Sequence, residues 1–284
     1  METGTRNLII GVAVIAVIVV VIAAAAMGGW FAGEETETLI VTGSNTVLPI
    51  GQSCAEAYMD DHASVDVQVS GPGSSVGITS VGEGTADIGM ASRPAKSSEY
   101  DQFPGLYETT VAKDGIPVIV HKDNPIDELT MDQIRAIYNG TYTNWDKVGG
   151  PDMDIVVYSR DAASGTREFF WEHVMQKDDF VSPLYEYNSH AAVKQQVSQT
   201  PGGIGYSGLG YIDSSIKVIG VKADAGSQAV MPSVATVRDG TYAISRSLYM
   251  YTIGAPEGLA KDYIDFILST DGQAIVEQEG FVSL

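Results

Sequence analysis

Cysteine is nearly missing from this chain. Cys54 is the only one in 284 residues, so no disulfide can form within it. It lies well past the apolar N-terminal segment, inside a helical pattern. That position excludes a lipid-anchor cysteine at a cleavage site and suits a small buried core residue. Basic residues are scarce too. Sixteen Lys and Arg stand against 36 Asp and Glu, a formal charge of −20, and no basic stripe offsets it. Such a surface repels nucleic acid and anionic lipid, which removes both as surface partners. An anionic ligand is still allowed, because the local field inside a cleft decides its binding. The four histidines, His62, His121, His173 and His190, are scattered without metal-ligand spacing. The phosphate-cradling loop with its lysine is missing, and internal repeats and heptads are absent. No metal and no cofactor are expected.

What is present is a globular composition, 44% hydrophobic and 18% charged, enough for a sizeable core. The first 33 residues read as a separate segment. From Leu8 to Met27 the chain is aliphatic residues, Ala and Gly with no charge. About 20 such residues can cross the ~30 Å hydrocarbon layer as a helix. A hydrophobic N-terminal helix anchoring the chain is therefore expected, with a cleaved secretory signal as the competing reading. Arg6 on one side and Glu34, Glu35 and Glu37 on the other favour an inside N-terminus and a body outside the cytoplasm. The body exceeds the usual single domain, so one large or two medium units are expected.

Along the body, strands alternate with helices, which predicts α/β architecture with mainly parallel pairing. Leu39–Val41, Val65–Val69, Ala86–Met90, Ile116–Val120, Ile155–Tyr158 and Leu248–Thr252 read as strands. Helical patterns carry Cys54, Ala57 and Tyr58, then Val76 and Val81, then Ile134, Ile137 and Tyr138 after a capping Thr130. Further helices carry Phe169, Phe170, His173 and Val174, and span about 191–199, 257–268 and 271–279. Gly202–Tyr206 is a Gly-rich stretch, and Tyr206, Tyr211, Tyr249 and Tyr251 suit wall or core packing.

One pattern recurs three times: a short strand ends in Gly with Ser or Thr, and a helix starts at once. The three are Ser44-Asn45-Thr46, Gly73-Ser74-Ser75 and Ser164-Gly165-Thr166. The first turn of a helix has N–H groups without internal partners and carries partial positive charge. Glycine admits close approach, and hydroxyls add rotatable donors. Such a helix start is an anion site, and in open α/β sheets ligands bind outside strand C-termini. Arg160, just before the third motif, and Arg93, after Ser92, match a tetrahedral oxyanion in bidentate fashion.

These residues resemble the phosphate-binding proteins of ABC-type phosphate importers. The resemblance runs through Gly43–Pro49, Gly71–Gly77, Ala86–Pro94, Asn144-Trp145, Arg160–Arg167, Gly202–Tyr206 and Arg246–Tyr249, and covers about 39–284. It implies a two-lobed type II periplasmic-binding-protein fold with two crossing hinge strands. Lobe one would hold 39–116 plus 245–284, and lobe two 117–244, with hinges near Gly115-Ile116-Pro117 and Ser245-Arg246. The implied function is capture of inorganic phosphate outside the cytoplasm and delivery to an ABC-type permease, with no catalysis. By resemblance the ligand contacts would be Thr46, Val47, Ser74, Ser92, Arg160, Ser164, Gly165 and Thr166, with Ser44, Ser75, Arg93, Asp87 and Asp161 as additional candidates. Better-known members carry an aspartate where this chain has Ser92. That carboxylate accepts the proton of phosphate and repels sulfate, so Asp161, Asp87 or a hydroxyl would have to take its place. Sulfate, molybdate or tungstate is the alternative ligand class. A phosphoester hydrolase or a sensor module is the alternative role.

Overall fold

A computed structural model describes residues 36–284; the apolar N-terminal segment, and with it the expected anchor helix, lies outside the described residues. The body opens on strand β1 (Glu37–Gly43), whose alternating Leu39 and Val41 are buried. Helix α1 (Leu48–Asp61) follows, with Pro49 in its first turn and Ile50, Cys54, Ala55 and Tyr58 on its buried face. Then come β2 (Val65–Ser70), α2 (Ser74–Gly82), β3 (Ile88–Ala91), α3 (Ser97–Gln102) and β4 (Leu106–Gly115).

From Gly115 the chain passes through Ile116-Pro117 into β5 (Val118–His121), which belongs to a different sheet. The second part contains β6 (Glu128–Thr130), α4 (Met131–Tyr138), β7 (Val156–Arg160), α5 (Gly165–His173), β8 (Tyr185–Tyr187), α6 (His190–Gln199) and β9 (Gly203–Tyr206). It continues through β10 (Ile216–Val218), β11 (Gly220–Lys222) and α7 (Val234–Arg238). The chain then returns as β12 (Ser245–Ile253) and ends in α8 (Gly258–Leu268) and α9 (Thr270–Gln278).

Two five-stranded sheets result, in the orders β2-β1-β3-β12-β4 and β10-β5-β9-β7-β8, with a small β11-β6 pair beside the second. The architecture is thus mixed α/β and two-lobed. Pairing is less parallel than the alternation of strands and helices predicts. β1 runs parallel to β2 and β3, and β7 to β8 and β9. β12 is antiparallel to both neighbours, and β5 to β9 and β10. The cause is the path: β12 enters its sheet from the other lobe, so its direction is set by the crossing and not by a βαβ turn.

Each lobe has its own apolar core. One gathers Val41, Ile50, Cys54, Ile88, Met90, Leu248 and Tyr263, the other Val118, Ile134, Tyr138, Trp145, Phe170 and Ile204. Fully burying one such aliphatic side chain contributes about 1.5–3 kcal/mol. Cys54 is buried and unpaired, and burial pushes its thiol up to about 12, as a core residue requires. Of the pair expected inside α2, Val81 is buried but Val76 is exposed; Ile78 takes the core position instead. Thr130 caps α4 as expected, accepting from Gln133 N–H at 3.1 Å.

Candidate functional site

The three helix starts meet where the two sheets face each other. Gly43 closes β1 at φ 138, and a Cβ there would lie 2.2 Å from Met90 O, so only glycine lets the chain turn beside β3. The start of α2 abuts the loop before α5. Ser75 N–H donates to Ala163 O at 3.3 Å, and a Cβ on Gly73 would come within 2.6 Å of that carbonyl. Gly165 packs so tightly that an added Cβ would sit 2.2 Å from Ser74 Oγ and 2.9 Å from Ser92 Oγ. The first turns of α1, α2 and α5 are therefore in direct apposition.

Within this junction Thr46 and Thr166 place their hydroxyl oxygens 3.0 Å apart, although 120 residues separate them. Ser74 Oγ accepts from Ser92 N–H at 3.1 Å and lies 3.3 Å from Ser92 Oγ. All four side chains are buried. Arg160 is buried as well. Its Nε donates to Tyr187 O at 3.2 Å and its Nη2 to Asn188 O at 2.7 Å, while its Nη1 is buried without a partner. Burial lowers this guanidinium to about 10, which leaves it charged near neutrality.

Other expected residues are used differently. Ser44 Oγ accepts from the N–H groups of Thr46 at 3.2 Å and Val47 at 3.4 Å, so the Val47 N–H is turned toward Ser44. Ser164 is the N-cap of α5, accepting from Arg167 N–H at 3.3 Å. Arg93 keeps only its Nε unpartnered; its terminal nitrogens are committed elsewhere. It forms a two-point ion pair with Glu99, both bonds 2.7 Å, and also donates to Pro94 O and Ser75 Oγ. Asp87 is exposed at the opposite end of β3, where it accepts from Ile40 N–H at 2.7 Å, so it is a turn cap and no proton acceptor of this site. Asp161 accepts from Ala163 N–H at 3.2 Å and shapes the loop before α5.

Chemistry that sequence reasoning missed lies beneath the threonines. Arg246 on β12 and Asp114 on β4 are register partners, both buried, joined Nη2 to Oδ2 at 2.8 Å and Nε to Oδ2 at 3.2 Å. Arg246 Nη2 also donates to Thr166 Oγ1 at 2.9 Å and Thr46 Oγ1 at 3.2 Å, and Nη1 donates to Ser92 O at 2.8 Å. Asp114 Oδ1 accepts from Leu209 N–H at 3.0 Å. Burial pushes Asp114 up and Arg246 down, and their mutual attraction opposes both shifts. His190, at the first turn of α6, places Nε2 2.8 Å from Thr46 Oγ1 and 3.4 Å from Thr166 Oγ1. Burial, then Arg160 and Arg246, lower this imidazole well below its ordinary range. The one available signal for the pair was alternation: Arg246 shares a buried strand face with Leu248 and Met250, an unusual place for a charge.

One hydrolase-like spacing does occur, Gly73-Ser74-Ser75-Val76-Gly77. Its central Ser75 Oγ accepts from the Arg93 guanidinium at 3.1 Å and is not bonded to an imidazole, so the base a serine nucleophile needs is not in place.

Two α/β lobes meeting over buried hydroxyls and guanidiniums define the class: a two-lobed clamp for a small solute. The sequence profile of the PBP superfamily domain matches residues 32–271. "Phosphate-binding protein PstS" of Pseudomonas aeruginosa is 33% identical over 263 residues, covering 85% of this chain and 81% of that one. The Bacillus subtilis protein of the same description is 31% identical, covering 88% and 82%. A phosphate ABC transporter substrate-binding protein with bound phosphate from Clostridium perfringens superposes with a TM-score of 0.80 at 34% identity, over 87% of this chain and all of that one. An ABC-type phosphate transport receptor from Vibrio cholerae gives 0.73 at 31% identity, over 87% of this chain and 100% of the other. The chain belongs to the PstS family of phosphate-binding proteins within the PBP superfamily.

Proposed function

We propose that this protein captures inorganic phosphate in the cleft between its lobes, outside the cytoplasm, and delivers it to an ABC-type permease in the membrane. The observation that carries the reading is the Arg160 guanidinium, buried with Nη1 unpartnered beside three helix starts. A buried donor left without a partner is costly unless a ligand takes it, and an oxyanion is the ligand it fits. The hydroxyls of Thr46, Thr166, Ser74 and Ser92 and the N–H groups of Gly165 and Thr166 supply further donors, with Arg246 as a second charge. None of these groups needs to react; they replace hydration. Ser164 and Val47 belong to the same cradle through the turns that they cap.

The lobes in this reading are 39–116 plus 245–284 and 117–244, and the crossings at Gly115–Pro117 and Ser245-Arg246 act as the hinge. The anion bridges both lobes and favours the closed form, which the permease then recognises. The apolar segment Leu8–Met27 holds the body at the membrane.

A specific observation favours sulfate as a second ligand. Ser92 offers a hydroxyl and no carboxylate, and Asp114 is committed to Arg246 and Leu209 N–H. Isothermal titration of the full chain in detergent, after exhaustive dialysis, tests both. Tight one-to-one binding of phosphate without sulfate competition is the expected outcome. Equal or tighter sulfate binding would keep the cleft and replace its ligand.

A further inference from the structure

His190 is the residue of the junction that the family resemblance left unassigned, and hydrogen-bond accounting gives it a definite role. Its Nδ1 lies 3.2 Å from Gly208 N–H, which can only donate. Nδ1 is therefore the acceptor, and in the neutral ring the proton sits on Nε2. Nε2–H then donates to Thr46 Oγ1 at 2.8 Å. Arg246 Nη2 has two hydrogens: one goes to Asp114 Oδ2 at 2.8 Å, and the other is shared between Thr166 Oγ1 at 2.9 Å and Thr46 Oγ1 at 3.2 Å. Because Nε2–H already fills one lone pair of Thr46 Oγ1, the hydrogen of that hydroxyl points away from His190, toward the side where Thr166 Oγ1 lies at 3.0 Å. The imidazole thereby sets the direction of the Thr46 hydroxyl hydrogen.

His190 also ties the lobes together. Its backbone N–H donates to Asn45 Oδ1 at 3.2 Å, and its ring rests 4.8 Å from that of Tyr211, whose hydroxyl donates to Asn45 O at 2.5 Å. The groups facing the ring are thus Thr46, Thr166, Tyr211 and the Gly208 N–H, with Arg160 and Arg246 close enough to act on its charge. Nε2–H faces the two threonine hydroxyl oxygens.

We infer that His190 is a further ligand-binding residue of the cleft, a neutral Nε2–H donor that aims the Thr46 hydroxyl at the bound oxyanion and shifts onto it as the lobes close. The inference rests on the oxyanion reading above, and it assigns one corner of the site to a ligand oxygen that carries no proton. The experiment is titration of phosphate into the full chain in detergent, for the wild type, His190→Ala and His190→Gln. A Gln amide can place a nitrogen donor near the position of Nε2. The Ala variant should bind roughly 10-fold or more weakly, the worth of a hydrogen bond to a charged group. The Gln variant should recover most of the loss.

Because an Ala variant could fail to fold, the wild type is also followed by long-range 1H–15N spectra of its histidines at neutral pH. The Nε2-protonated tautomer and a displaced Nε2 resonance on adding phosphate are expected. A Nδ1-protonated ring, an unmoved resonance at saturating phosphate, or equal affinity of wild type and Ala variant would overturn the inference. Wild type that takes up no phosphate would overturn the oxyanion reading itself, and that outcome is read before either variant is made.

Discussion

Two corners of the cleft each hold a buried arginine beside a carboxylate, and they do opposite things. In the corner near α3, Arg93 spends both terminal nitrogens on Glu99, with Pro94 O and Ser75 Oγ taking further bonds. That guanidinium is a strut: it fixes the start of α2 with both terminal nitrogens and leaves only Nε without a partner. On the floor, Arg246 meets Asp114 through one oxygen and still reaches Thr46 and Thr166, while Arg160 beside it keeps Nη1 unpartnered. A guanidinium has five donors, and recognition depends on which of them the protein leaves uncommitted.

The hardest way to break this contrast is Asp114→Ala. Removing one partner of a buried ion pair leaves the other charge uncompensated, at about 3–5 kcal/mol. Chemical denaturation should show a loss of that size; Glu99, which is less buried than Asp114, should cost less on substitution. Next in size is the direct exchange of roles. Arg160→Met should weaken phosphate binding roughly 100-fold or more in calorimetry, and Arg93→Met by less than about threefold, the residual effect coming through the position of Ser75. Comparable losses in the two variants would erase the distinction.

The smallest effect sharpens it through pH. Only the floor holds a histidine under two guanidiniums, and burial together with their charge depresses it. The unfolded ring takes up its proton near ~6.5. Below that pH the unfolded state binds a proton that the folded state refuses, so stability falls as pH falls. The slope is up to about 1.4 kcal/mol per pH unit, and it ends where the folded ring also protonates. Urea midpoints between pH 7 and 5 should drop more for the wild type than for His190→Gln. Parallel curves would mean that the floor charges do not act on His190.

The legible part of this site was the part written in adjacent residues. Strand, glycine, hydroxyl and helix start follow one another within a few positions, so Thr46, Ser74 and Thr166 could be picked without knowing where they meet. Asp114 and Arg246 stand 132 residues apart, and Asn45 and His190 145 apart, and nothing local joins them. Arg93 was misjudged although its partner is near: Glu99 lies six residues on, in the first turn of α3, where a carboxylate also caps the helix. Gly202–Tyr206 showed its glycines but not its strand. Gly205 is needed because α6 packs on β9 there, and a Cβ would come within 2.9 Å of Val193 and Val197. Strand directions were misjudged because they follow from the crossing between lobes, a property of the whole path. The apolar cores were the most legible of all, since periodicity alone picks Ile134, Ile137 and Tyr138.

The register of Arg246 against Asp114 puts the buried ion pair under Thr46 and Thr166 on β4 and β12, beside the two passages of chain between sheets. In the proposed lobe closure, that is the fulcrum. Farther out, Lys96 before α3 meets Glu168 on α5 at 2.8 Å, and on the proposed closure this pair would lie at the lips. A fulcrum travels little, so in the proposed mechanism an anion seated there would be gripped and released with small local movement, while the lips would amplify each degree of rotation. A pair of spectroscopic labels on Lys96 and Glu168 would then register a swing whose cause, a few hydrogen bonds deep in the pivot, hardly changes its own geometry.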